Sequence, residues 1–197
     1  MNFETIRHVQ IAGKIMKEFH SVDIMPKSNL KGRDVASTID TVILTARNWM
    51  EGDPVYTGVS TRYVMGYPLP DWQRGLVWSD EQCIKLIDSI WRKASIGSFM
   101  INIVDDTREP HPYDGLLLDG QQRLHAIQRY LNDDFSTKDI HGNEVLWSEL
   151  PLISQRRFKN SHFPSIQINS KDRAELIDIY NTLNFGGVAH TEADRAV

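Results

Sequence analysis

Apolar residues recur along this chain at two spacings, and each spacing predicts an element. Val9, Ala12, Met16 and Phe19 lie three or four positions apart, with Ile11 and Ile15 widening the face, so the N-terminal stretch reads as an amphipathic helix. Pro26 and Ser28-Asn29 break that pattern, and Lys31-Gly32-Arg33-Asp34 reads as more of the same turn. A second helical stripe carries Ile39, Val42, Ile43, Ala46, Trp49 and Met50, and Gly52-Asp53-Pro54 stops it. Tyr56 to Tyr67 fits neither period and reads as extended chain with loop. Ser79 with Gln82 three residues on is a capping box, and the helix behind it puts Cys83, Leu86, Ile87, Ile90 and Trp91 on one face.

The pattern then changes to short apolar runs. Ser98 to Val104 is strand-like, Asp105 to Tyr113 is a proline-bearing acidic loop of a hairpin, and Leu116-Leu117-Leu118 is a short buried strand. Asp119-Gly120 punctuates that strand and a helix starts at once, with Leu124, Ile127 and Leu131 as its stripe and Tyr130 flanking. Residues 132 to 162 are polar and mixed, anchored by Trp147, Leu150 and Leu152 and carrying the basic knot Arg156, Arg157 and Lys159. A strand from Phe163 to Ile168 follows, then a helix from about Lys171 to Leu183 with Leu176, Ile179, Tyr180 and Leu183 inward. Asn184-Phe185-Gly186-Gly187 reads as its C-terminal stop, because glycine accepts positive φ.

Composition narrows the class. The chain has 197 residues, 41% hydrophobic and 24% charged, with five Trp, six Tyr and seven Phe, which suits one ordinary globular domain and argues against disorder. One cysteine makes neither an internal disulfide nor a zinc cluster, and Cys83 reads as a core thiol. Met1 to Gln10 lacks the layout of a secretory signal, and no run reaches the eighteen or so apolar residues of a membrane span, so a cytoplasmic protein is expected. Twenty-two Lys and Arg against twenty-six Asp and Glu give a net charge of -4. That excludes affinity for nucleic acid through a single-sign surface, but not a focused site where a few arginines meet something small and anionic.

Such a site is written in Asp119-Gly120-Gln121-Gln122-Arg123. The first N–H groups of a helix lack intrahelical partners and face whatever approaches. Gly120 has no Cβ to hold a phosphate off, Gln121 and Gln122 add donors, and Arg123 offers a bidentate fork. Asp119 fits a magnesium ligand, a base for water or a hydroxyl, or the helix N-cap. The plain alternative is an Asp-Gly turn capping a helix, with Arg123 in a surface ion pair. Gln73 and Arg74 sit between Trp72 and Trp78, aromatics able to brace Arg74, to stack on a planar ligand, or simply to close the core. No GxxxxGK[ST], GxGxxG or HExxH occurs. Of the seven histidines, His125 lies near the proposed phosphate helix and reads best as a partly exposed helical residue, while His190 is the better proton-transfer candidate.

At these residues the chain resembles a known family. Asp71-Trp72-Gln73-Arg74-Gly75-Leu76-Val77-Trp78-Ser79, Leu86-Ile87-Asp88-Ser89-Ile90, Asp119 to Leu124, and Asn184-Phe185-Gly186-Gly187-Val188 with Thr191-Glu192 resemble the DUF262 family. This is the ParB-like domain at the N-terminus of GmrSD-type modification-dependent restriction proteins, within the ParB/sulfiredoxin-like superfamily. The resemblance implies one α+β domain over 1–197, a small mixed sheet packed with helices, in which 1–52 is a helical N-terminal extension and 66–192 the motif-bearing core. It implies a nucleoside triphosphate (ATP, GTP or CTP) and magnesium as cofactors. Gln73, Gly120, Gln121, Gln122, Asn184, Gly186 and Gly187 would bind the nucleotide, Asp119, Arg74 and Arg123 would be catalytic, and Asp119 would hold the metal. The implied activity is nucleotide hydrolysis coupled to modified DNA. A phosphotransferase acting on a hydroxyl of modified DNA or of a small molecule, and a non-catalytic DNA-binding or interaction module, are the alternatives. The sequence as given ends at Val197 with no His-Asn or His-His nuclease machinery, so cleavage is expected to need a separate nuclease partner. A homodimer is a further expectation.

Overall fold

A computed structural model describes residues 31–53, 55–56, 58, 60–104 and 111–185. The expected N-terminal helix, most of the acidic loop, Gly186, Gly187, His190, Thr191 and Glu192 lie outside them. The elements are β1 (Arg33–Val35), α1 (Ile39–Met50), β2 (Tyr63–Val64), β3 (Tyr67–Pro68), α2 (Asp80–Trp91), β4 (Phe99–Asn102), β5 (Leu117–Asp119), α3 (Gln121–Leu131), β6 (Thr137–Lys138), β7 (Glu144–Val145), α4 (Leu152–Lys159), β8 (Ser165–Ile168) and α5 (Arg173–Phe185). No helix among the described residues is long and apolar enough to cross a membrane.

The sheet is mixed, in the order β1-β8-β4-β5. β8 runs parallel to β4 and antiparallel to β1, while β4 and β5 pair antiparallel as the expected hairpin. β4 is buried on both faces, and alternation sends its side chains to two separate cores. Phe99 and Ile101 join Ile39, Val42, Ile87, Ile90, Leu124, Ile127 and Tyr130 on one side. Met100 joins Leu116, Leu118, Ile168, Leu176 and Ile179 on the other. Asn102 is fully buried yet satisfied: Nδ2 donates to the carbonyls of Tyr113 and Ser170, and Oδ1 accepts from the Ser170 N–H. The sheet is thus covered by α1, α2 and α3 on one face and by α5 on the other.

Several expectations change here. Residues 31–34 are no mere turn, because Arg33 to Val35 pair with Ser165 to Gln167 at the sheet edge and Arg33 Nη2 donates to Gln167 Oε1 at 2.8 Å. A three-residue polar strand has no period to announce it, and its partner lies over a hundred residues away. Tyr63 to Pro68 closes a ribbon through Met65 (φ 52°) and Gly66 (φ 80°), both left-handed as a tight hairpin demands. Tyr130 sits inside the core, fully buried, while Leu131 is at its edge. The Tyr130 hydroxyl makes that burial tolerable, accepting from Trp91 Nε1 at 3.2 Å and bonding Thr137 Oγ1 at 3.1 Å. Leu152 is no anchor: it is 60% exposed, and α4 is held by fully buried Phe158 instead. Cys83 is a buried free thiol, as expected, and the Ser79–Gln82 capping box forms.

The junction from β5 to α3 positions everything that follows. Gly120, not Asp119, is the N-cap residue, in a left-handed conformation (φ 97°). A Cβ there would sit 2.6 Å from Phe99 Cβ, so both the turn angle and the packing require glycine. Gly120→Ala is therefore expected to lower unfolding stability by about 1–3 kcal/mol. Urea denaturation checks this, and an unchanged midpoint would contradict it.

Candidate functional site

Gln121 and Gln122 open α3, and each reaches across to the loop that precedes α2. Gln121 Nε2 donates to the Arg74 carbonyl at 3.1 Å, and Gln122 Nε2 donates to the Gly75 carbonyl at 3.0 Å. Gln122 Oε1 accepts from the backbone N–H groups of Val77 and Trp78 at 3.1 and 3.3 Å. One buried amide thus serves three peptide groups of a loop that has no strand beside it. Leu76 and Val77 are 43% and 61% exposed, so hydrogen bonds rather than apolar burial hold this loop. Arg62 secures the preceding turn, its Nη2 donating to the carbonyls of Pro70 and Gln73 at 2.8 Å each.

Arg123, one turn into α3, is clamped from two sides. Its Nη2 donates to Asp119 Oδ2 at 2.6 Å and its Nη1 to the Ile96 carbonyl at 2.9 Å. Gly97 (φ 76°) makes the second contact possible, because a Cβ there would lie 2.8 Å from Nη1. The side chains of Arg123 and Asp119 are 18% and 39% exposed, so the pair is partly withdrawn from water but still reachable. A guanidinium has five N–H donors, and these two bonds leave others for a ligand.

These contacts enclose a cavity of about 240 Å³ lined by Gln73, Arg74, Trp78, Asp119, Gly120, Gln121, Gln122, Arg123, Leu183 and Asn184. The fold therefore brings together every described residue that the sequence singled out for this site, from three separate stretches of chain. Gly186 and Gly187 lie outside the described residues. Asn184 Nδ2 donates to the Tyr180 carbonyl within α5 at 2.8 Å. Of the two flanking tryptophans, Trp78 lines the cavity. Trp72 packs instead in the core beneath α5, with the Arg173 guanidinium 4.9 Å from its ring. Ile96, Gly97, Arg62 and Leu183 are parts of the site that sequence reasoning missed; a glycine between Ile96 and Ser98 was the one local signal.

The electrostatics favour an anion. Arg74 and Arg123 line the cavity together with a single carboxylate, Asp119, and the first-turn N–H groups of α3 have no intrahelical acceptor. Among the described residues, no group of three His, Cys, Asp or Glu side chains is placed to hold a metal ion. Magnesium commonly takes one or two carboxylates and completes its shell with water and phosphate oxygens, so Asp119 fits it only as an ion carried by a phosphate ligand. Two oxygens of lining residues, Gln73 Oε1 and Gln121 Oε1, are buried with no hydrogen-bond partner. Each such orphan costs about 1–3 kcal/mol. His125 is half-buried on α3 and is not part of the wall. Burial, reinforced by the Arg129 guanidinium, pushes its pKa below the usual imidazole value. It thus adds stability above about pH 6.5 that is lost as the pH falls through its depressed value.

The family described as the GmrSD restriction endonuclease, N-terminal domain, matches residues 58–196, a span that contains the whole cavity wall. The chain belongs to this family. Membership links it to the restriction proteins associated with DNA modification. The GmrSD N-terminal domain seen here is an α+β domain of the ParB/sulfiredoxin-like kind, its four-stranded mixed sheet packed with helices and flanked by two small ribbons. No curated protein and no solved structure matches the chain significantly.

The tether has a direct test. Gln122→Ala removes the acceptor of two loop N–H groups, so amide hydrogen exchange at Val77 and Trp78 is expected to accelerate about tenfold or more while the interior of α3 stays protected. Unchanged exchange at both amides would show that something else holds the loop.

Proposed function

We propose that this domain binds a nucleoside triphosphate in the Asp119–Arg123 cavity and hydrolyses it in association with modified DNA. One observation carries the reading: Arg74, Arg123 and the first turn of α3 converge on a single 240 Å³ cavity whose wall holds one carboxylate. A volume of that size, smaller than a typical drug-sized pocket, suits a phosphate chain better than a whole nucleotide. The base and sugar would then extend beyond it.

In hydrolysis a water oxygen forms a new bond to the terminal phosphorus as the bond to the bridging oxygen breaks. The α3 N–H groups and the spare donors of Arg123 would bind non-bridging oxygens. Arg74, whose guanidinium is not tied into an ion pair among the described residues, would neutralise charge that develops on transfer. Magnesium, when bound, supplies further charge neutralisation across the phosphates, with Asp119 as its protein ligand. The clamp from Asp119 and Ile96 keeps the Arg123 fork pre-oriented, so little ordering remains to be done on binding.

DNA is the macromolecular partner of this reading, and the chain's basic residues offer it one local face. Arg92, Arg156 and Arg157 are exposed. Lys93 Nζ donates to the Arg157 carbonyl at 2.7 Å and Arg157 stacks 5.2 Å from the Trp91 ring, which joins the ends of α2 and α4 into one patch. The Ile96 carbonyl held by Arg123 lies only a few residues along the chain from Lys93, so the patch and the cavity share a loop.

Incubation with magnesium and labelled ATP, GTP or CTP, with and without plain and hydroxymethylated DNA, tests the activity. Phosphate release is expected, falling about a hundredfold in Arg123→Ala. Label retained on DNA would favour the phosphotransferase alternative, and absence of turnover with every nucleotide would sink both enzyme readings. The Arg156→Glu/Arg157→Glu double variant is expected to weaken DNA binding at least tenfold in a salt-dependent manner while leaving nucleotide binding intact. Equal DNA affinity in a filter-binding assay would remove this face from the account.

A further inference from the structure

The loop that clamps Arg123 also lines a second and larger cavity, of about 650 Å³. Its lining comes from residues 93–98, from the connection between α4 and β8, and from Asp34 of β1. That volume falls in the range of sites that enclose a whole small molecule. The loop is fastened at both ends. Lys93, just past α2, is left-handed (φ 59°), and its Nζ donates to the Arg157 carbonyl at 2.7 Å and to Ser161 Oγ at 2.8 Å. Further along, the Ile96 carbonyl accepts from Arg123 Nη1, and Gly97 gives that guanidinium its room.

The lining is chemically mixed. Ile90, Ile96 and Pro164 are apolar, Lys93 brings donors, Asp34 brings acceptors, and Asn160 and His162 bring both. A phosphate calls for donors alone. A nucleobase combines apolar faces with an edge that carries donors and acceptors together, and this set suits it better. Lys93 belongs both to this cavity and to the basic face of Arg92, Arg156 and Arg157, so a strand held on that face by its phosphates lies beside the cavity.

We propose that this cavity receives one unstacked nucleotide of the DNA bound on the basic face, and that the shared loop links its occupancy to the Arg123 clamp. This rests on the DNA partner and the phosphate site proposed above. A base leaves a duplex at the cost of its stacking and pairing, and that cost is least where it is mismatched. An occupant against Ile96 and Gly97 bears on the carbonyl that orients Arg123, so hydrolysis responds to DNA that offers such a base.

Fluorescence anisotropy of the full chain with labelled duplexes tests the site. The duplexes are fully paired, carry one central mismatch, or carry two abasic sites opposite each other. The mismatched duplex is expected to bind about tenfold or more tighter than the paired one, and the doubly abasic one, equally pliable but with no base to insert, to gain nothing. It is also expected to raise phosphate release about threefold or more over the paired duplex. Ala94→Trp, which fills the cavity from an exposed position, should abolish both effects while leaving paired-duplex binding, hydrolysis without DNA and the melting temperature unchanged. The Asn160→Ala/His162→Ala double variant, which only trims exposed side chains, should lower the mismatch preference about threefold or more.

Equal affinity for paired and mismatched duplexes, an equal gain with the doubly abasic one, or a preference that survives both variants overturns the proposal and leaves the phosphate site and the basic face standing. Phosphate release that ignores the mismatch overturns the link to Arg123. Micromolar binding of free deoxynucleosides, lost in Ala94→Trp, reassigns the cavity to a free small molecule and overturns it as well. No binding of any duplex overturns this proposal together with the DNA face.

Discussion

A single left-handed residue turns a buried strand into a buried helix. β5 enters the junction pressed against β4, and α3 leaves it with Leu124 already in the core, so the chain has one residue in which to change direction. Gly120 does so at φ 97° with its Cα against Phe99, where no side chain fits. Moving that junction would shift the helix that carries Gln121, Gln122 and Arg123, and with it the loop those residues hold. The cavity is in this sense a by-product of how a strand and a helix are joined, and its rigidity comes from the core beneath it. Leu124 and Ile127, each fully buried, contribute roughly 1.5–3 kcal/mol apiece to fixing the helix in place.

On that fixed base, polar groups are divided between holding the site together and facing a ligand. Gln122 is structural in its contacts: the three hydrogen bonds its side chain makes go to backbone groups of residues 75, 77 and 78. Gln121 uses its amide nitrogen to hold the Arg74 carbonyl, and its oxygen is buried without a partner. Arg123 is divided between Asp119, the Ile96 carbonyl and its remaining donors. A stretch that reads in sequence as a phosphate site is thus, in the contacts it makes, largely a frame for the neighbouring loop. On the proposed reading, the donors for an anion would come mostly from backbone N–H groups and two guanidinium groups, so that little would have to be ordered on binding.

The parts of the molecule legible in the sequence are those with a local signature. The capping box at Ser79 and Gln82, the hairpin of short apolar runs around Phe99 to Leu118 and the Asp-Gly turn each follow from neighbouring residues, and the structure has them at those positions. The site residues from 73 to 74, 119 to 123 and 184 converge on one cavity, which sequence order alone does not dictate. What was not legible depends on distant partners. β1 is a strand only because β8 is beside it, Tyr130 is inside only because Trp91 and Thr137 satisfy its hydroxyl, and α4 shows no stripe because its one anchor, Phe158, comes after two exposed apolar residues. Ile96 and Gly97 belong to the site through a carbonyl, and a backbone contact leaves no trace in residue type.

The net charge of -4 remains compatible with an anion site because the charges that matter are few and held in place. The central claim is that the first turn of α3 and the loop it tethers receive a phosphate-bearing ligand. Backbone amide chemical-shift mapping with a non-hydrolysable nucleoside triphosphate and magnesium tests it most directly. The account predicts shifts concentrated at residues 73–78 and 119–123, with smaller ones at Ile96 and Gly97 as the Arg123 clamp responds. Shifts centred instead on the exposed ends of α2 and α4, or no shifts at saturating nucleotide, would contradict it.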